Sequence, residues 1–197
     1  DITAVTAGTG LSGGGTTGAV ALSAVFAGSG TAGTIARSDH THAVGTVGNG
    51  NTAVGEAAIP GVTSGLDNVA VGYHALTAVS SGTENVAIGS RALDANTSGA
   101  SNVAVGHDAL GGNTIGTNNI AMGAGALVLM ADGDANIGIG TGALEGSAND
   151  DRNTALGYLA LRSLTSGSKN LALGDNGGGT LVTGSDNVYV ASSGVAT

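Results

Sequence analysis

Residues 68–76 read NVAVGYHAL, and the phrase returns 17 residues later as NVAIGSRAL from Asn85 and again as NVAVGHDAL from Asn102. The leading asparagine keeps that spacing at Asn51, Asn68, Asn85, Asn102, Asn119, Asn136, Asn153, Asn170 and Asn187. A fixed period with no insertion over nine copies means that each copy is one structural rung stacked on the next. The function is therefore to be sought along a rod and not in a pocket.

Counting the asparagine as position one, position two is Val, Ile, Leu or Thr and position four is Val, Ile, Leu or Met. Between them position three is nearly always Ala, and position five is Gly from Gly55 to Gly174. Alternation with a period of two and β-branched residues on one face predicts a strand, the larger side chains turned inward and the small ones outward. A helix would carry a Gly in every unit, at roughly 1 kcal/mol each relative to Ala. Ala-Leu at positions eight and nine, from Ala75-Leu76 to Ala160-Leu161, reads as the second wall of the rung. Gly at position fifteen, often after Thr-Ser, reads as turn chemistry with positive φ.

Composition agrees with thin repeated layers. Of 197 residues 38 are Gly, none is Cys or Trp, and the aromatics are Phe26, Tyr73, Tyr158 and Tyr189. No disulfide framework is available. A net charge of −9 argues against nucleic acid or an anionic membrane as partner. No run of 18 apolar residues is present, so membrane insertion is not expected. A start at Asp1 without a signal peptide suggests a processed product or a fragment.

Between Asn51 and Asp186 the charges fall only at positions six, seven, ten and fourteen to seventeen. The loops are the wet edge. Positions three, five and eight stay uncharged and small, and a face of that kind is exposed along the whole rod unless something covers it. Lateral packing of these small residues against identical rods is expected, most simply in a closed homotrimer. The asparagine column, at a strand spacing of roughly 4.8 Å, is expected to form a structural ladder of side-chain hydrogen bonds.

The NxAxGxxAL rungs over residues 51–191 resemble the head repeats of trimeric autotransporter adhesins and, more closely, the longer rungs of phage tail fibres. The stretches DITAVTAGTGLSGGG and ARSDHTH within the first 50 residues resemble tail-fibre shafts. This resemblance implies an all-β chain: a parallel β-roll or β-solenoid of nine rungs, the last ones degenerate, in an intertwined homotrimer. Residues 1–50 would be a Gly/Thr-rich shaft or connector, and 192–197 would lead to a further module. The rung from Asn170 has Gly177-Gly178 in place of Ala-Leu and Tyr189 in the next rung in place of Ala, which reads as the beginning of a cap.

His40-Thr41-His42 is the one candidate metal site, since residues 40 and 42 of a strand point the same way. By resemblance to tail-fibre needles, a threefold axis would gather six imidazoles around iron or another divalent ion. Tyr73, His74, Arg91, His107 and Tyr158 at positions six and seven are the candidate surface contacts for a ligand, by stacking on sugars or anchoring a protein.

Other chemistries find no support. The Gly13–Gly15 and Gly177–Gly179 runs lack the Lys-Ser/Thr of a phosphate loop, no calcium repeat recurs, and the carboxylates lie in turns without a cleft. No enzyme activity is expected. The expected function is that of a structural or adhesive fibre segment, extracellular, on a virion tail or a bacterial surface. It would space or present binding to a host-cell receptor, a glycan or a protein. The alternative is an ice-binding or other surface-binding solenoid, for which the broken threonine column at position thirteen (Thr63, Thr97, Thr114, Thr165) is poor support.

Overall fold

The computed structural model describes residues 11–12, 23–24, 44–47, 49–62, 64–147 and 149–191. Strand β1 (Leu11–Ser12) pairs antiparallel with β2 (Ser23–Ala24). Strand β3 (Val44–Val47) runs antiparallel to β4 (Asn51–Val54) and closes that end of a ten-stranded sheet. From β4 onward every pairing is parallel: β5 (Val69–Val71), β6 (Val86–Ile88), β7 (Val103–Val105), β8 (Ile120–Met122), β9 (Ile137–Ile139), β10 (Thr154–Leu156), β11 (Leu171–Leu173) and β12 (Val188–Val190). Each residue pairs with the one 17 positions on, as Val69 with Val86 and Val86 with Val103. The protein is an all-β parallel solenoid with one short strand per 17-residue rung.

The predicted direction of the alternation is reversed. Ala70, Ala87, Ala104, Ala121, Ala155 and Ala172 at position three are fully buried, whereas Ile88, Met122, Ile139, Leu156 and Leu173 at position four are exposed. The interior of one rung already holds the Ala and Leu of positions eight and nine, all buried from Ala75-Leu76 to Ala160-Leu161. Only a methyl group fits opposite them, so the strand turns its small face inward. Of the small residues expected to pack against other chains, those at positions three and eight are thus the core itself, and the position-five glycines from Gly55 to Gly140 are half-buried.

The second wall is a left-handed corner. Leu76, Leu93, Leu110, Leu127 and Leu144 have φ between 50° and 55°. That conformation costs roughly 1–2 kcal/mol, and complete burial of the leucine contributes about 1.5–3 kcal/mol, so burial holds the corner. Rung-to-rung bonds run through it, from Leu76 N to Ala92 O and from Leu93 N to Ala109 O, both 3.0 Å.

The glycines serve mainly to let rungs approach. At position five Gly106 has φ +139°, and a Cβ there would lie 2.6 Å from the carbonyl oxygen of Gly123 in the next rung. At position fifteen a Cβ on Gly82 would lie 2.6 Å from the Gly99 carbonyl oxygen, while Gly82 itself has no positive φ. Close approach accounts for the glycines of that column from Gly65 to Gly133, while Gly167 and Gly184 have the positive φ expected of turn geometry.

Beyond Asn170 the roll continues. Leu171, Ala172 and Leu173 pair with Val188, Tyr189 and Val190 in the same register.

Candidate functional surface

The asparagine ladder is the most regular polar feature, and it lies inside. Asn51 through Asn170 are buried. The Asn68 Oδ1 accepts from Asn85 N and Nδ2, each at 3.0 Å, and Asn68 Nδ2 donates to Asn51 Oδ1 at 2.9 Å and to Gly82 O at 2.8 Å. The pattern recurs to Asn187, whose N and Nδ2 both reach Asn170 Oδ1. Side chains so fully engaged in their own fold offer nothing to a ligand, and the column is structural as expected.

A second, inner column stands at position twelve: Val79, Asn96, Asn113, Met130, Ser147 and Leu164, all buried. Asn113 Nδ2 donates to Asn96 Oδ1 at 3.0 Å, but Asn113 Oδ1 has no hydrogen-bond partner because Met130 follows it in the column.

Two surfaces carry chemistry that a partner can reach. The first is the outward face of β4–β12, where positions two and four present Val, Ile, Leu and Met along the rod. Met122 is 43% exposed in mid-stripe, and Val188 and Val190 rise to 70% and 73% at the last strand. At roughly 4.8 Å per rung the stripe is roughly 40 Å long.

The second is the turn after each strand, at positions six and seven. Its backbone is laddered, with His74 N to Glu56 O at 3.0 Å, Arg91 N to Tyr73 O at 2.8 Å and Asp108 N to Ser90 O at 3.0 Å. Tyr73 and His74 hold their ring centroids 4.2 Å apart. One rung on, Arg91 grips Asp108 with two bonds, Nε to Oδ1 at 2.7 Å and Nη2 to Oδ2 at 3.0 Å. His107 Nδ1 lies 2.8 Å from Asp108 Oδ2 and its Nε2 lies 3.3 Å from Arg91 Nη2. The Asp108 carboxylate raises the Arg91 guanidinium above its ordinary pKa. Asp94, partly buried beside them, is raised above the usual carboxylate value first by burial and then by Asp108, with Arg91 opposing.

Of the five residues singled out in the sequence, Tyr73, His74, Arg91 and His107 occupy three consecutive rungs of one ridge, whereas Tyr158 stands apart, flanked at position seven by Leu159 and Gly142. Asp108 and Asp94 were not anticipated as members. The signal for Asp108 was its spacing from Arg91, one period of 17, which in a solenoid means direct contact; Asp94 lies three residues after Arg91 in its own turn. His40 and His42 lie outside the described residues, and among the described ones no group of three or more His, Asp or Glu is placed to hold a metal ion.

The hydroxyls of position thirteen are occupied: Ser80, Thr97 and Thr165 donate to the carbonyl of the following rung at 3.0 Å and Thr114 at 3.2 Å. With Ala131 breaking the column, the described residues of position thirteen offer no regular array of free donors. Among the described residues no helix is long and apolar enough to cross a membrane. No protein-family model, no curated protein and no solved structure matches the chain significantly, so the solenoid and its two outward surfaces are the grounds on which function is read.

Proposed function

We propose that the chain is a non-enzymatic segment of an extracellular homotrimeric fibre, of the phage tail-fibre or bacterial surface-adhesin kind, that spaces or presents contact with a host-cell receptor. The observation that carries this reading is the continuous apolar stripe of β4–β12, which runs beside loops that hold all the charge of the rod. Contiguous exposed apolar surface of this extent marks an interaction site. A stripe that repeats from rung to rung is covered most economically by identical stripes in parallel around a closed axis, and the resemblance of the rungs to trimeric head repeats supports three as the number. The buried asparagine ladder and laddered corners suit a stiff spacer, because every rung is bonded to its neighbours at several points.

Native mass spectrometry tests the reading. Three chains per particle is the expected result, and a monomer at micromolar concentration would overturn it.

A further inference from the structure

We propose that the ridge formed by Tyr73, His74, Arg91, His107 and Asp108 binds a neutral, hydroxyl-rich glycan. The inference deepens the adhesive reading and rests on it only for its biological setting.

The polar side chains are concentrated at one place on the rod. Along positions six and seven the following rungs carry Ala124-Gly125 and Thr141-Gly142, and the rung before carries Glu56-Ala57. Rungs two to four alone bring together an aromatic ring, two imidazoles, a guanidinium and a carboxylate. The ridge is also ordered. The backbone of the ridge is hydrogen-bonded from rung to rung, and Thr77 Oγ1 ties the His74 carbonyl at 2.7 Å. Arg91 is held by both oxygens of Asp108, so its side chain need not be immobilised again when a ligand arrives.

What remains unengaged defines the ligand. The Arg91 Nη1 amino group keeps its donors, Asp108 Oδ1 keeps one lone pair beside its bond from Arg91 Nε, and the exposed Tyr73 ring keeps an open face. Asp108 offsets the Arg91 charge and Asp94 adds a second carboxylate nearby. The ridge therefore has no excess positive charge for a phosphate or sulfate, and a chain of net charge −9 repels polyanions. A sugar meets all three demands: its hydroxyls accept from Arg91 and donate to Asp108, while its C–H face lies on the tyrosine ring. Tyr73 and Asp108 stand two rungs apart, roughly 10 Å, which suits a short oligosaccharide.

The test is saturation-transfer NMR on the full chain with neutral galactose-, glucose- and mannose-terminated oligosaccharides, alongside a sulfated oligosaccharide and a cationic peptide. Binding of at least one neutral sugar is expected, weakened about tenfold by Tyr73→Ala, the scale of one lost stacking contact. Asp108→Ala should weaken it as well. Tyr158→Ala, which removes an equally exposed tyrosine outside the cluster, should leave binding intact and reports on general damage. Absence of neutral-sugar binding, preference for the sulfated probe or the peptide, or insensitivity to both ridge variants would each overturn the inference. A trimer that binds no sugar leaves the fibre standing without this site, and a monomer that binds sugar does the reverse.

Discussion

The ring of Tyr189 lies over Gly178: a Cβ placed on that glycine would come 3.0 Å from the tyrosine Cδ2. In earlier rungs these two places hold Leu at position nine and Ala at position three of the following rung. Here the large and small residues have changed places across the interior. The exchange explains why the roll continues past Asn170, where loss of the Ala-Leu wall reads in sequence as a cap.

This exchange predicts a strong coupling. Tyr189→Ala leaves a void, and Gly178→Leu collides with the ring and with the flexible end of Leu161, whose Cδ2 lies 2.8 Å from the same Cβ, so each should destabilise. The double variant restores the arrangement of the other rungs, where Leu tolerates the same left-handed corner. A double-mutant cycle by chemical denaturation should show a favourable coupling of about 1–3 kcal/mol, and additive effects would contradict the swap.

The asparagines of the position-one ladder and the Asn96–Asn113 pair of position twelve should respond in opposite ways to apolar replacement. Asn113 Oδ1 is already unpaired, and Gly99 O and Gly116 O, which Asn96 and Asn113 contact, also receive Asn85 Nδ2 and Asn102 Nδ2 at 2.8 Å. Asn96→Leu with Asn113→Leu therefore strands no backbone group, and Leu164 shows that leucine fits the column. We expect a neutral outcome or a gain of about 1 kcal/mol. Asn85→Leu with Asn102→Leu removes acceptors from buried backbone N–H groups and should cost several kcal/mol, at about 1–3 kcal/mol for each orphaned group. Thermal melts of the two pairs decide the matter.

Gly106→Val should destabilise the rod far more than Asp108→Asn. The valine forces both an unfavourable positive φ and a collision with the Gly123 carbonyl, at about 1–3 kcal/mol for the overpacking alone. The close neighbour is the next rung of the same chain, so the loss should appear in the monomer as well as in the assembly. Equal melting temperatures for the two variants would refute it.

Charging the outward stripe separates folding from association. Ile88→Lys with Met122→Lys places both ammonium groups on the exposed face and removes nothing from the core. Far-UV circular dichroism should stay that of a β-roll while sedimentation velocity shows dissociated chains. Loss of secondary structure would show that the stripe belongs to the core after all.

Asp94 should make the protein less stable as its carboxyl ionises. Its folded-state pKa is raised, so the folded chain holds the proton more firmly than the unfolded chain. This contribution is lost as pH rises from the ordinary carboxylate value of 3.8 through the raised one. Asp94→Asn should then equal or exceed wild-type stability at neutral pH and lose that advantage in acid, as denaturant midpoints across pH 3–7 would show.

Much of this protein was legible in its sequence because a period of 17 fixes register outright: once Asn68 stacks on Asn51, every other residue has its neighbour assigned. The strands, the asparagine ladder and the parallel all-β class follow from that period together with the alternation. Only the tertiary structure decided which side of the alternation faces inward. A period of two is symmetric with respect to its faces, and the choice falls to volume: with Leu76 already filling its rung, the interior admits Ala70 and turns Val69 and Val71 outward. The tertiary structure also decided the geometry of the polar ridge. The period already sets Arg91 beside Asp108, but the two-bond grip between them and the placing of the His107 imidazole on the same carboxylate came only from the folded turns.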